Sequence, residues 1–321
     1  MNHDISITRL RLALRIANSF LIEHLMALRG ERDFTDALIL AALVQSNSAP
    51  LAGDMALQQR YGAFEAPPPA SIRRPISMSA LAASLGLPFE TVRRRLKRLA
   101  EAGVCEICPD GIRYADAMLT SSEHRLTLEA IYAQTRNFYL RLGRTGYLDL
   151  LAPSKKLAGP GGSPPLRVVY RAANDYFLRM MEHLLPRFSN LSQAFIVLAV
   201  VRVNTAAFPD TLLGGESLNP EAFVADSYRR PARTSEISAL LGLPGETVRR
   251  NLVALVEDGR CQKIPRGYIV PATVLARPNV MIAWDANLRD LARLFGELGD
   301  NGVLALWDAE EADRPSAALK P

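Results

Sequence analysis

The stretch LGLPFETVRRRLKRL, residues 85–99, occurs a second time as LGLPGETVRRNLVAL, residues 241–255. In the first copy Val92, Leu96 and Leu99 fall at i, i+4 and i+7, the spacing of one helical face. The residues before it, SMSALAASLGLP, place Leu81 and Leu85 on one face of a preceding helix. Ser77 or Ser79 can cap that helix, and Gly86 supplies the left-handed residue that ends it. Leu87 anchors the turn. Pro88 suits the start of the second helix, where its missing N–H has no partner to lose. Gly103 ends that helix, and VCEICPDGIRYADAML follows, with a PDG turn between two short apolar segments, as in a β-hairpin. The second copy repeats the layout with CQKIPRGYIVPATVL. The pattern therefore predicts helix, glycine-containing turn, helix and hairpin, twice in one chain.

The repeat is wider than the quoted stretch. Residues 73–119 align with 229–275 without a gap, and 22 of the 47 pairs are identical. Upstream, RIANSFLIEHL (15–25) resembles RAANDYFLRMMEHL (171–184), and DFTDALILAALVQSN (33–47) resembles NLSQAFIVLAVVRVN (190–204), with a register slip of one residue. Downstream, RNFYLRLG (136–143) and RLFGELG (293–299) match as last helices. A period this long is not a solenoid. The expected fold is mainly α: tandem duplicated winged helix-turn-helix domains with flanking helices and short β-hairpin wings. Residues 1–152 form the first unit, with its helix-turn-helix and wing at about 76–119. Residues 153–165, rich in Pro, Gly and Ser, read as an exposed linker. Residues 166–321 form the second unit, with its helix-turn-helix and wing at about 232–275. The loops 48–72 and 205–228 read as long and irregular.

Composition sets bounds. The chain has 321 residues, enough for about two domains. Lys and Arg number 38 against 33 Asp and Glu, a mild excess compatible with a polyanionic partner. All but five of those cations are Arg, whose planar fork suits phosphates and guanine edges. The N-terminus is broken by charge and has no signal-peptide core. The most apolar runs, LILAALV (38–44) and AFIVLAVV (194–201), are too short to span a bilayer. Three cysteines make no disulfide framework. The expectation is a soluble, cytoplasmic protein with no membrane partner.

Little points to catalysis. Cys105 and Cys108 form a CxxC, but the second copy has Cys261 with Ile264 at the other position, and zinc needs further ligands. The cysteines read as small buried residues of the wing strands. His3, His24, His124 and His183 are scattered. GPGGSPP lacks the Lys and Ser/Thr of a phosphate-binding loop. No enzyme, cofactor or metal is expected.

LGLPFETVRRRLKRLAEAG and LGLPGETVRRNLVALVEDG resemble the DNA-binding segment of bacterial winged-helix regulators. The nearest pattern is that of the catabolite-activator/fumarate-nitrate-regulator superfamily, with a looser likeness to GntR-type and MarR-type proteins. The resemblance covers about 45 residues in each half. No cyclic-nucleotide-type β-barrel accompanies it. In that family the Glu of ETV and the Arg that follows it read base edges, which implies Glu90 with Arg94, and Glu246 with Arg250. The residue before that Glu, often Arg or Ser in the family, is Phe89 or Gly245 here.

With Val92, Leu96 and Leu99 inward, Glu90, Arg93, Arg94 and Lys97 are expected to project outward. In the second copy Glu246, Arg249, Arg250 and Asn251 do so. Arg can bond guanine O6 and N7 bidentately, and Glu can accept from cytosine N4. Thr91 and Thr247 lie in the first turn, where hydroxyls and free N–H groups meet phosphate. Arg113 and Arg266 would be wing contacts. Lys97 and Arg98 become Val253 and Ala254, so the second head is expected to bind DNA more weakly, or to meet another protein surface. The expected partner is double-stranded DNA. The amphipathic helices at 5–29 and 168–187 read first as core packing, with a homodimer interface or a small-molecule effector pocket as the sharper readings. The leading function is a sequence-specific transcriptional regulator whose two heads imitate a symmetric dimer on half-sites about 34 Å apart. Its rivals are a plasmid-type replication initiator and a winged-helix protein scaffold.

Overall fold

The computed structural model describes residues 3–151, 163–210 and 223–313; most of the linker expected at 153–165, and much of the loop expected at 205–228, lie outside them. The described chain is mainly helical. In order it forms α1 (His3–Arg29), α2 (Phe34–Ser48), α3 (Met55–Arg60), α4 (Met78–Leu85), α5 (Phe89–Glu101), β1 (Cys105–Cys108), β2 (Gly111–Tyr114), α6 (Asp116–Leu119) and α7 (Ser122–Arg144). There follow α8 (Leu166–Leu184), α9 (Leu191–Asn204), α10 (Thr234–Leu241), α11 (Gly245–Glu257), β3 (Gln262–Ile264), β4 (Gly267–Ile269), α12 (Ala272–Leu275), α13 (Pro278–Asp300) and α14 (Val303–Ala312). The segment 48–72 is less irregular than its composition suggests. It holds α3, started by the Asp54 carboxylate accepting from the Leu57 N–H at 3.0 Å.

Two compact units emerge, and neither is a contiguous half. The α5 unit takes its described residues from within Gly30–Arg136, Ala152–Leu178 and Leu291–Pro321. The α11 unit takes them from within Met1–Arg29, Asn137–Leu151 and Arg179–Asp290. The division expected at 1–152 and 166–321 thus gives way to an interleaved one, and the reason is visible in two hydrogen bonds. Within the α11 unit, Asn18 of α1 donates to the Leu198 carbonyl of α9 at 3.0 Å. Within the α5 unit, Asn174 of α8 donates to the Ala41 carbonyl of α2 at 2.9 Å. Asn18 and Asn174 are equivalent positions of the repeat, as are Leu198 and Ala41. The first helix of one copy, α1, thus belongs to the α11 unit, and that of the other, α8, belongs to the α5 unit as far as Leu178. The apolar face of α1, with Ala13, Ile16, Ala17 and Phe20 almost wholly buried, is thereby used inside the chain.

α2 and α9 are the central helices. Nearly every α2 residue from Phe34 to Val44 is buried, which is why its apolar residues run round the helix without a polar stripe. Asp33 caps it, accepting from Thr35 N–H and Asp36 N–H at 2.9 Å. Asn190 caps α9, accepting from Gln193 N–H at 3.0 Å.

Each unit then builds helix, turn, helix and hairpin. Ser77 Oγ accepts from Ala80 N–H at 3.1 Å to start α4, and Gly86, at φ +61°, ends it. The Leu87 N–H closes back on the Ala82 carbonyl at 3.1 Å. Val92, Leu96 and Leu99 of α5, and Val248, Leu252 and Leu255 of α11, are the buried residues of their helices. β1 pairs antiparallel with β2, and β3 with β4. A third segment joins each hairpin. Ile76 exchanges hydrogen bonds with Ile112, and Ala232 does so with Tyr268.

A buried asparagine fixes each hairpin to its central helix. The Asn47 amide donates to the carbonyls of Arg74 (2.8 Å) and Ile112 (3.2 Å) and accepts from Tyr114 N–H (2.8 Å). Asn204 makes the same three bonds to Arg230, Tyr268 and Val270, at 2.8, 3.0 and 3.0 Å. This clamp orients the hairpin against the two-helix element.

Candidate nucleic-acid interface

The apolar seam of α5 faces inward, so Glu90, Arg94 and Lys97 stand exposed, with Thr91 and Arg93 half-buried. Glu90 and Arg93, one turn apart, lock together. Arg93 Nε donates to Glu90 Oε2 at 2.9 Å, and Nη2 to the same oxygen at 2.7 Å. That hydrogen bond holds the Glu90 carboxyl below its ordinary range. The second copy repeats the device. Arg249 donates to Glu246 through Nε at 2.8 Å and Nη2 at 2.7 Å, and Glu246 is lowered for the same reason. Arg94, Lys97 and Arg250 make no hydrogen bond or ion pair with the described residues. Thr91 and Thr247 sit in the first turns, half-exposed. Pro88 and Pro244 precede those turns without a side-chain cap, so the leading N–H groups are unclaimed by side chains among the described residues.

Three neighbours are committed elsewhere. Arg95 reaches Asp33 Oδ2 at 2.6 Å and Asp36 Oδ1 at 2.7 Å, and Arg98 pairs with Asp36. These arginines tie α5 to the start of α2. Asn251, the counterpart of Arg95, was expected to project outward. It is half-buried instead: it donates to the Thr247 carbonyl at 2.8 Å and accepts from Asn190, the α9 cap, at 3.4 Å. One helix face thus serves helix packing in both copies, which removes Asn251 from the exposed surface.

The hairpins also differ from expectation. Arg113 lies within β2 rather than at the tip. Its guanidinium is half-buried, donating to Cys108 Sγ at 3.4 Å and lying 4.0 Å from Glu106. The tips are Pro109–Asp110 and Pro265–Arg266. Arg266 is exposed, at φ +75°. Its counterpart Asp110 is exposed with the opposite charge. Lys263 of β3 is exposed too, where the first copy has the exposed Ile107. Sequence reasoning passed over Lys263, although the aligned pair Ile107/Lys263 carried the signal. The first head therefore has a cationic second helix with an acidic hairpin, Glu106 and Asp110, and the second head a cationic hairpin. Cys105 lies buried under α5, and burial pushes its thiol up to about 11, with Cys261 up to about 12.

No family model, curated protein or solved structure matches this chain. No single helix among the described residues is long and apolar enough to cross a membrane.

Proposed function

We propose that the chain is a sequence-specific DNA-binding transcriptional regulator carrying two winged helix-turn-helix heads. The observation that carries the proposal is the duplicated outward face of α5 and α11. In each, a Glu–Arg pair is followed immediately by an exposed Arg with no partner among the described residues. Helix, tight turn, helix and hairpin is the order in which winged helices present their second helix to the major groove, and LGLPFETVRRRLKRLAEAG resembles that segment of the family. Arg94 and Arg250 are the side chains free to take guanine O6 and N7 bidentately. Glu90 and Glu246 accept hydrogen bonds from Arg93 and Arg249. An exposed pair of this kind is weak, so it can open when a phosphate or a cytosine N4 group approaches. Thr91, Thr247 and the unclaimed N–H groups of the first turns suit phosphate oxygens. Lys97 extends the basic face of the first head, and Lys263 and Arg266 supply the second with a basic wing.

The test is selection of bound fragments from genomic DNA, followed by anisotropy titration of the selected site. If Arg93, Lys97, Arg249, Lys263 and Arg266 each meet a phosphate, log affinity falls with log salt at a slope of roughly −4 to −5. Affinity then drops on the order of 10² to 10³-fold between about 50 and 200 mM salt. Binding that stays flat over that range overturns the proposal. Enrichment of promoter sites supports regulation, origin repeats favour an initiator, and no enrichment favours a scaffold.

A further inference from the structure

The α11 unit contains a cavity of about 180 Å³, and the equivalent place in the α5 unit contains one of about 20 Å³. The duplication makes this an internal comparison. In the α5 unit the space is taken by Tyr114, His124 and Tyr170. The residues 156 positions away in the repeat are Val270, Val280 and Leu14, and all three line the larger cavity. Three ring-bearing side chains in one copy thus correspond to three aliphatic ones in the other. The difference opens a space of the size that takes a benzene-sized molecule, about 150 Å³.

The cavity wall is not simply greasy. Among the described residues it carries five arginines, Arg11, Arg15, Arg187, Arg229 and Arg260, and no carboxylate. Asp210 and Asp226 neutralise two of these, pairing with Arg15 at 3.3 Å and with Arg229 at 3.1 Å. Arg229 is decisive. Its side chain is 1 % exposed, and its Nη1 is buried with no hydrogen-bond partner among the described residues. In the filled twin, the equivalent Arg73 Nη1 donates to the Tyr114 carbonyl at 2.6 Å. Arg187 Nε, a second buried donor of a lining residue, is also unpartnered among the described residues, and so is the acceptor Asn18 Oδ1. Burial, then the charge of Arg260, lowers Arg187 from its ordinary range, as expected where cations crowd without an anion. A buried polar atom left unpaired is costly, and all three belong to side chains that line this one cavity. Arg11 stacks over Phe223 and Trp284 at 4.2 and 4.8 Å, giving the wall flat aromatic surface. Leu184, Phe188, Val274 and Trp284 are only half-buried, so the space communicates with solvent.

We infer that this cavity is a binding site for a small apolar monocarboxylate, an aromatic or branched-chain acid. Its carboxylate takes the unpaired donors of Arg229 and Arg187. Its hydrocarbon part fills the volume that Tyr114, His124 and Tyr170 occupy in the other copy. A ring hydroxyl or amine on the ligand would meet Asn18 Oδ1.

The experiment is calorimetric titration of the full chain with benzoate, phenylacetate and isovalerate, and with benzyl alcohol and benzylamine as neutral and cationic controls. It is done without DNA, so its outcome stands apart from the DNA reading. Saturable binding of at least one carboxylate is expected, at least tenfold tighter than benzyl alcohol. Benzylamine should not bind. Arg187→Gln, at the half-exposed rim, should weaken the carboxylate at least fivefold while leaving benzyl alcohol unchanged. Leu14→Tyr with Val270→Tyr, copying the filled twin, should abolish binding and keep a cooperative thermal transition. The inference is overturned if no carboxylate binds at millimolar concentration, if benzyl alcohol binds as well as the carboxylates, or if a folded filled variant binds as well as the unaltered chain. Should the filled variant not fold, the Arg187→Gln comparison decides alone: equal carboxylate affinity refutes the site.

Discussion

Replacing Asn204 by Ala should destabilise the α11 unit more than any exposed substitution on its head. Asn204 is wholly buried and makes three hydrogen bonds: to the carbonyls of Arg230 and Tyr268, and from the Val270 N–H. Alanine removes the one side chain serving all three. A buried group deprived of its partner costs about 1 to 3 kcal/mol. The Tyr268 carbonyl keeps its bond from the Ala232 N–H, so the Arg230 carbonyl and the Val270 N–H are the two groups deprived, at a cost of roughly 3 kcal/mol, a large part of a domain's usual margin. The assay is urea unfolding followed by far-UV circular dichroism, comparing midpoint at constant slope. Asn204→Asp sharpens the result. The carboxylate still accepts from Val270 N–H, but it sets an oxygen against two carbonyl oxygens where the amide donated. The substituted carboxyl should therefore titrate above the ordinary carboxylate range, since only its protonated form can donate. The sign follows. The folded-state affinity for that proton is raised, so the Asp variant gains stability relative to Ala as pH falls towards 5, and loses it again towards neutrality. A loss below about 1 kcal/mol for Asn204→Ala, or an Asp variant whose difference from Ala is independent of pH, would refute the clamp.

Other outcomes follow from single residues. His124 is buried beside Arg167, and burial first, then that charge, pushes its imidazole down to about 3. Folding therefore holds it neutral while the unfolded chain protonates it below about 6.5. The resulting stability is whole above that pH and falls by about 2 kcal/mol on going to pH 5; His124→Phe should flatten this slope in chemical denaturation. Gly86→Ala and Gly111→Ala separate conformational from steric cost. Nothing lies within 4 Å of a Cβ at Gly86, whereas one at Gly111 would meet the Ile76 carbonyl oxygen at 2.8 Å, so the first should cost about 1 kcal/mol and the second clearly more, read as melting temperatures. Arg94→Ala should lose about 1 to 3 kcal/mol on the selected DNA site and relax preference at one base; equal losses on random DNA would make it a phosphate contact. Disabling the heads separately, Arg93→Ala with Arg94→Ala or Arg249→Ala with Arg250→Ala, should remove footprint protection from different half-sites. An unchanged footprint for the second pair would leave α11 without a DNA role.

The sequence by itself determined the local elements. Ser77, Gly86, Pro88 and Gly103 act on the backbone within one or two turns, so their effects needed no knowledge of the rest of the chain. The i, i+4, i+7 spacing of Val92, Leu96 and Leu99 settled which face of α5 would be outward, and with it the exposure of Glu90, Arg94 and Lys97. The alignment of the two copies was likewise complete in the sequence. Only the tertiary structure decided partnership. Nothing local distinguishes α1 packing on α2 from α1 packing on α9, because the equivalent Asn18 and Asn174 offer the same amide to the equivalent carbonyls of Ala41 and Leu198. Nor did helical spacing reveal that Arg95 and Asn251 would turn to the caps of α2 and α9, since a cap is a neighbour only in three dimensions. The cavity was the least legible feature. Val270, Val280 and Leu14 are ordinary apolar residues in the sequence, and a volume exists only where residues far apart in the chain fail to fill the space between them.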